Sequence, residues 1–133
     1  APTIGAGLVA WTSGEESASE VFGWESPSGA AVRLTTNDVW DGEPSASSDV
    51  IAWLQRPASS EATAAPEQVW WWDVHARDAV PLTQTEWGNW PPAADARQLA
   101  WSGEFLSLDT ELYFADLGEP AHEFLVHRQL AET

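Results

Sequence analysis

The chain has 133 residues, 44% of them hydrophobic, and sets five arginines and no lysine against 21 acidic residues for a formal net charge of −16. Length and apolar content suit one folded domain, while the charge repels phosphate backbones and anionic lipid, which excludes nucleic acids and membrane surfaces as partners. With no cysteine there are no disulfides or thiolate metal sites, and no run of 18 apolar residues is available to span a bilayer as a helix.

In chain order the same pieces recur three times. Pro2, Pro44 and Pro92 are each followed nine residues later by a tryptophan, at Trp11, Trp53 and Trp101, within Val9-Ala10-Trp11, Ile51-Ala52-Trp53 and Leu99-Ala100-Trp101. An apolar run closed by a carboxylate follows: Val21-Phe22-Gly23-Trp24-Glu25, Val69-Trp70-Trp71-Trp72-Asp73 and Leu112-Tyr113-Phe114-Ala115-Asp116. Nine residues beyond each carboxylate stands a leucine, as Leu34-Thr35, Leu82-Thr83 and Leu125-Val126. Only the tryptophan-to-carboxylate gap varies, at 14, 20 and 15 residues, so the repeat runs 42 and then 48 residues between tryptophans. A period of this size marks a propeller, solenoid or array.

Each repeat reads as four short strands. Small residues after the proline, as in Pro44-Ser45-Ala46-Ser47-Ser48, suit a crowded inner strand. The second strand ends at the tryptophan, the consecutive apolar residues of the third imply burial on both faces, and the fourth ends at the leucine. Ser26-Pro27-Ser28-Gly29, Val74-His75-Ala76-Arg77 and Leu117-Gly118-Glu119-Pro120 are the turns between the last two strands. No stretch keeps a 3.6-residue apolar period with caps, so helix should be nearly absent. The expected fold is all-β: three four-stranded antiparallel propeller blades in a single domain over residues 1–133, bounded at about 2–41, 44–89 and 92–131, with a β-sandwich as the alternative.

Ser48-Asp49-Val50-Ile51-Ala52-Trp53, Glu111-Leu112-Tyr113-Phe114-Ala115-Asp116-Leu117 and Arg33-Leu34-Thr35 resemble the blade signatures of TolB-like and surface-protein β-propellers. Trp72-Asp73 is similar to the dipeptide of WD-repeat blades, without that family's Gly-His pair. Gly23 and Glu25 in the first repeat, and Leu125-Val126 in the third, depart from the TolB-like pattern. The resemblance covers all three repeats and implies a fold that hosts enzymes, receptors and scaffolds alike. It favours a periplasmic or extracellular setting, and Ala1 without methionine points to a processed chain or to an excised or engineered propeller fragment.

Catalytic chemistry finds little support. His75, His122 and His127 fit no metal-ligand spacing, no nucleophile elbow or phosphate loop occurs, and pairs such as Glu15-Glu16 or Asp38 with Asp41 are expected among so many acids. Asp38, Asp41 and Glu43 lack the calcium-loop pattern. The reading is therefore no enzyme, no catalytic or metal residue and no cofactor. The repeat tryptophans are assigned to packing, whereas Trp40, Trp87 and Trp90, with Asp41 and Asn89, fall between blades on the face that gathers the loops of varied length. These five are the candidate ligand site, for a peptide or glycan. Three blades leave two apolar end faces, so the expected assembly is a homodimer closing a six-bladed ring. The expected function is a binding or scaffold module; a lectin-like propeller, or a gating or docking portion of a larger hydrolase, are the alternatives.

Overall fold

The computed structural model describes residues 2–15, 18–26, 29–57, 66–105, 109–118 and 125–128. Its named elements are all strands. β1 (Thr3–Gly5), β2 (Leu8–Ser13), β3 (Glu20–Glu25) and β4 (Ala31–Arg33) form one sheet. The second sheet holds β5 (Trp40–Ala46), β6 (Val50–Arg56), β7 (Gln68–Asp73) and β8 (Asp78–Pro81), and the third holds β9 (Ala93–Asp95), β10 (Gln98–Phe105), β11 (Asp109–Asp116) and β12 (Leu125–Arg128). Each is an antiparallel meander with neighbours in chain order.

The recurring sequence spacings are recurring registers. The residue after each proline pairs with the alanine before each tryptophan, as Thr3 with Ala10, Ser45 with Ala52 and Ala93 with Ala100. Each tryptophan then faces an aromatic of the third strand, as Trp11 with Phe22, Trp53 with Trp70 and Trp101 with Tyr113. The variable gap lies beyond these pairs, in the ends of the second and third strands and the loop that joins them. That loop can change length without disturbing either pairing.

The middle sheet is buried on both faces, and pleating divides its side chains between them. Ile51, Trp53 and Trp72 pack with Leu8, Ala10 and Val21 of the first sheet. Val50, Ala52, Leu54, Val69 and Trp71 pack with Leu99, Trp101, Tyr113, Ala115 and Leu117 of the third. This two-sided burial is why Val50 to Leu54 and Val69 to Trp72 run without polar alternation. The first strands lie close together: a Cβ on Gly5 of β1 would come within 2.4 Å of Ser47 Cα, so only glycine fits there.

The Leu-Thr pairs have a specific task. Leu34 and Leu82 donate their N–H groups to Val21 O and Val69 O, both at 2.8 Å, extending each pairing just past the end of the fourth strand. Thr35 Oγ1 and Thr83 Oγ1 accept from the N–H of Val21 and Val69 at 3.0 and 2.9 Å, and donate to Glu20 Oε1 and Gln68 Oε1. One hydroxyl thus satisfies a buried donor and fixes the side chain that opens the third strand.

Three extents differ from the sequence reading. The second strands run two to four residues beyond the tryptophans, to Ser13, Arg56 and Phe105. β5 begins at Trp40 rather than after Pro44, because a bulge between Gly42 and Ser45 lets Trp40, Asp41 and Gly42 pair with Arg56, Gln55 and Leu54. Leu125 opens the fourth strand of the third sheet instead of ending it. Trp24 pairs with Ala31 and Trp72 with Ala79, but Ala115 pairs with Val126, a hairpin four residues longer. The nine-residue spacing to Leu125 is therefore not equivalent to the other two. Glu16, the Pro27-Ser28 and Glu119-Pro120 turn positions, His122, residues 58–65 and the end of the third repeat lie outside the described residues.

Candidate functional site

A buried indole usually finds an acceptor for its N–H. Trp53 Nε1 donates to Asp41 Oδ1 at 3.1 Å, and Trp101 Nε1 donates to Asn89 Oδ1 at 3.1 Å, each acceptor standing twelve residues upstream. Asp41 pairs with Gln55 in β5–β6, and Asn89 pairs with Gly103 in an isolated bridge at the equivalent place. A Cβ on Gly103 would lie 2.9 Å from Asn89 Oδ1, so the close approach of this bridge requires glycine. The two Asx residues thus latch each tryptophan to the chain at the start of its own sheet, Asp41 within β5 and Asn89 ahead of β9.

The latches differ electrostatically. Asn89 Nδ2 donates to Glu67 O at 2.9 Å and Thr85 Oγ1 at 3.1 Å, so both ends of its amide are used. Asp41 is fully buried, and its Oδ1 accepts from Trp53 and from Gln55 Nε2; its Oδ2 makes no well-formed hydrogen bond, although the Asn37 side chain lies near enough to favour the charged form. Burial pushes the Asp41 carboxyl above the usual range, against the opposing pull of Gln55, Asn37 and Trp53, and nearby Glu20 adds to the rise.

The three candidate tryptophans differ in burial. Trp40 is half-buried in β5, packed against the core between the second and third sheets, with the Arg56 guanidinium 4.5 Å from its ring centroid. Trp87 is half-buried with its Nε1 enclosed, and Trp90 is 42% exposed. Of the five residues singled out in the sequence, Trp40 alone lines a cavity where the first strands meet. That cavity, about 610 Å³, is walled by Thr3, Trp40, Glu43, Pro44, Pro92 and Ala93 among others. Glu43 sits at the β5 bulge with φ 54, a left-handed conformation unusual for a non-glycine residue.

A second groove of about 460 Å³ runs between the outer strands of the first two sheets, with Trp53, Trp70 and Trp72 in its wall and Arg33 and Arg77 at its rim. Both guanidiniums are already engaged, by Glu20 and Glu25 at 3.1 and 3.3 Å. Between the second and third sheets Arg97 reaches Asp73 Oδ2 at 2.7 Å in a nearly buried pair. Burial alone would raise the Asp73 carboxyl, but Arg97 and the N–H groups of His75 and Ala76 outweigh it and hold the group below its ordinary value. Among the described residues no three His, Asp or Glu side chains converge on one point, Asp38, Asp41 and Glu43 included.

The outermost faces carry the remaining apolar surface. On the first sheet, Ile4 is 76% exposed, and Val9, Trp11, Phe22 and Trp24 are half-buried. On the third sheet, Leu112 is 50% and Phe114 37% exposed. These positions were absorbed into packing in the sequence because their repeat equivalents are core.

The described residues thus form an all-β protein of three four-stranded antiparallel sheets, with latched tryptophans and a cavity at the converging first strands. No protein-family model matches the chain, and comparison with curated proteins returns no relative.

Proposed function

We propose that this chain is a non-enzymatic binding or scaffold module made of three propeller-type blades, taking its ligand at the cavity where the first strands converge. The observation that carries this reading is the cavity wall. Trp40 offers an aromatic platform, Glu43 a carboxylate on a strained bulge, and Pro44 and Pro92 rigid apolar edges. Aromatic stacking beside a carboxylate suits a short basic peptide or a neutral sugar ring, and the net charge of −16 steers basic or neutral partners over acidic ones. The repeated blade spacings and the resemblance to TolB-like propellers support the same architecture.

Titration of the 133-residue chain against arginine-rich and uncharged proline-containing peptides, and against a glycan array, tests the proposal. Binding that Trp40→Ala weakens at least tenfold is the expected result, and peptide or glycan hits separate protein interaction from a lectin-like role. No binding in either set, or binding indifferent to both Trp40→Ala and Glu43→Gln, would overturn it.

A further inference from the structure

The two end faces of this protein are not generic apolar patches. Trp53 and Trp101 point toward the preceding sheet, where Trp53 packs with the first-sheet residues Leu8, Ala10 and Val21, and Trp101 with the second-sheet residues Val50, Ala52 and Val69. Trp11, at the same register position, faces away from the second sheet, toward the place a preceding sheet would occupy. Its surroundings are already organised for burial. Trp11 stacks on Phe22 at 5.9 Å and 13°, nearly the geometry of the buried pair Trp101–Tyr113, at 5.7 Å and 17°. Val9 and Trp24 complete the face at the positions of Ile51 and Trp72, which are 0% and 6% exposed in the middle sheet.

The opposite end carries the complement. Ala100, Ser102, Leu112 and Phe114 hold the register positions of Ala52, Leu54, Val69 and Trp71, the residues by which the middle sheet receives Trp101. In the first sheet the same positions are Ala10, Thr12, Val21 and Gly23, and Ala10 and Val21 receive Trp53. Val21 and Val69 are both fully buried, whereas their equivalent Leu112 is half exposed. The chain therefore contains the same sheet-to-sheet interface twice internally, and presents its two separated halves at its ends.

We propose that these halves mate between two copies of the chain, the first sheet of each seated on the third sheet of the other, to close a ring of six sheets. The proposal rests on the blade reading above and adds the partner. A head-to-tail contact of this kind closes when its rotation divides the circle and otherwise propagates, so two faces per chain demand a ring or a filament. One feature of the internal interfaces is absent from the new one. Arg77 meets Glu25 across the first junction and Arg97 meets Asp73 across the second. Asp116 takes the register position of Glu25 and Asp73, but the first sheet has Gly29 and Gly7 where Arg77 and Arg97 would stand. Among the described residues, the intermolecular junction thus lacks the cross-sheet arginine–carboxylate pair of the internal ones.

Light scattering on the 133-residue chain should give about 29 kDa, twice the 14.5 kDa chain mass. Leu112→Glu and Trp11→Glu, which disable opposite faces, should each give a monomer with an unchanged circular dichroism spectrum. Mixing the two should restore a two-chain species at high concentration, since each retains the face the other lacks. Ile4→Glu serves as a second first-sheet variant, because a side chain this exposed cannot be needed for folding. A monomeric parent chain overturns the pairing. So does a dimer that survives either face variant, or a pair of variants that fails to complement, as a face-to-face dimer would behave. A larger ring or filament overturns the two-copy closure. A monomer that still binds peptide or glycan through Trp40 refutes this pairing alone, and a dimer that binds neither refutes the ligand reading alone.

Discussion

Replacing Asp41 with asparagine should stabilise the protein at neutral pH, although it removes a buried charge from a hydrogen-bonded site. Asp41 Oδ2 is enclosed without a well-formed hydrogen bond, and an unsatisfied buried polar atom costs about 1–3 kcal/mol. The repeat supplies the remedy, since Asn89 holds the equivalent place, accepts from Trp101 through Oδ1 and donates through Nδ2 to Glu67 O and Thr85 Oγ1. In the Asp41 site the matching carbonyl is that of Ser19, which already accepts from the Asp41 N–H at 3.0 Å. Asparagine can keep the Trp53 bond while removing the charge that burial disfavours, a gain of about 1 kcal/mol. The sign of the pH dependence follows from the raised carboxyl. A group that binds its proton more tightly when folded costs stability above its folded pKa and nothing below its unfolded value of about 3.9. The gain of Asp41→Asn should thus be full once pH exceeds the raised folded pKa and vanish as pH falls to about 4. Urea denaturation of both proteins across that range measures it, with Asp41→Ala as the control that strands the Trp53 indole. A loss of stability in Asp41→Asn at neutral pH, or a gain that persists below about pH 4, would refute the latch argument.

Trp53→Ala, at a fully buried site in the core between the first two sheets, should cost on the order of 3–5 kcal/mol in denaturant midpoint analysis, and Trp87→Ala, at a half-buried site, about 1–2. Arg97→Met leaves Asp73 buried and unpaired and should cost about 3 kcal/mol or more at neutral pH by thermal or urea melts. In the parent protein the Asp73 contribution is complete above about pH 4 and is lost as pH falls further through its depressed folded value; in Arg97→Met, where burial of the carboxylate is no longer offset, the penalty relative to the parent should shrink as pH falls and Asp73 is protonated. Because each copy carries −16 and the proposed junction lacks the arginine–carboxylate pair of the internal ones, added salt should strengthen self-association, which sedimentation equilibrium at two ionic strengths can follow.

The strand pairing was largely legible in the sequence, because a register fixes the distance between a residue and its partner. Pro-to-Trp spacing of nine became Ser45 against Ala52 and Ala93 against Ala100, and the continuous apolar run at Val69–Trp72 became a strand covered on both faces. Leu125 misled because a hairpin four residues longer happened to preserve the nine-residue spacing. The latch went unseen. Its signal was the twelve-residue step from Asp41 to Trp53 and from Asn89 to Trp101, which recurs only twice within the sequence and joins residue types that also populate ordinary turns. Buried indole chemistry predicts that some acceptor exists but not which one. The ligand residues were hard to place for the same reason: Asp41 and Asn89 lie beside tryptophans both as a binding surface would hold them and as a latch does, and burial distinguishes the two only in three dimensions.

The most direct test of the repeated-interface account is hydrogen exchange at the tryptophan indoles, followed by NMR at several protein concentrations. Trp53 and Trp101 sit in internal junctions and should be protected at every concentration, while Trp11 should gain protection as concentration rises and lose that gain in Leu112→Glu. A Trp11 indole that exchanges at one rate throughout, with or without Leu112, would contradict the claim that the first and third sheets present two halves of one interface.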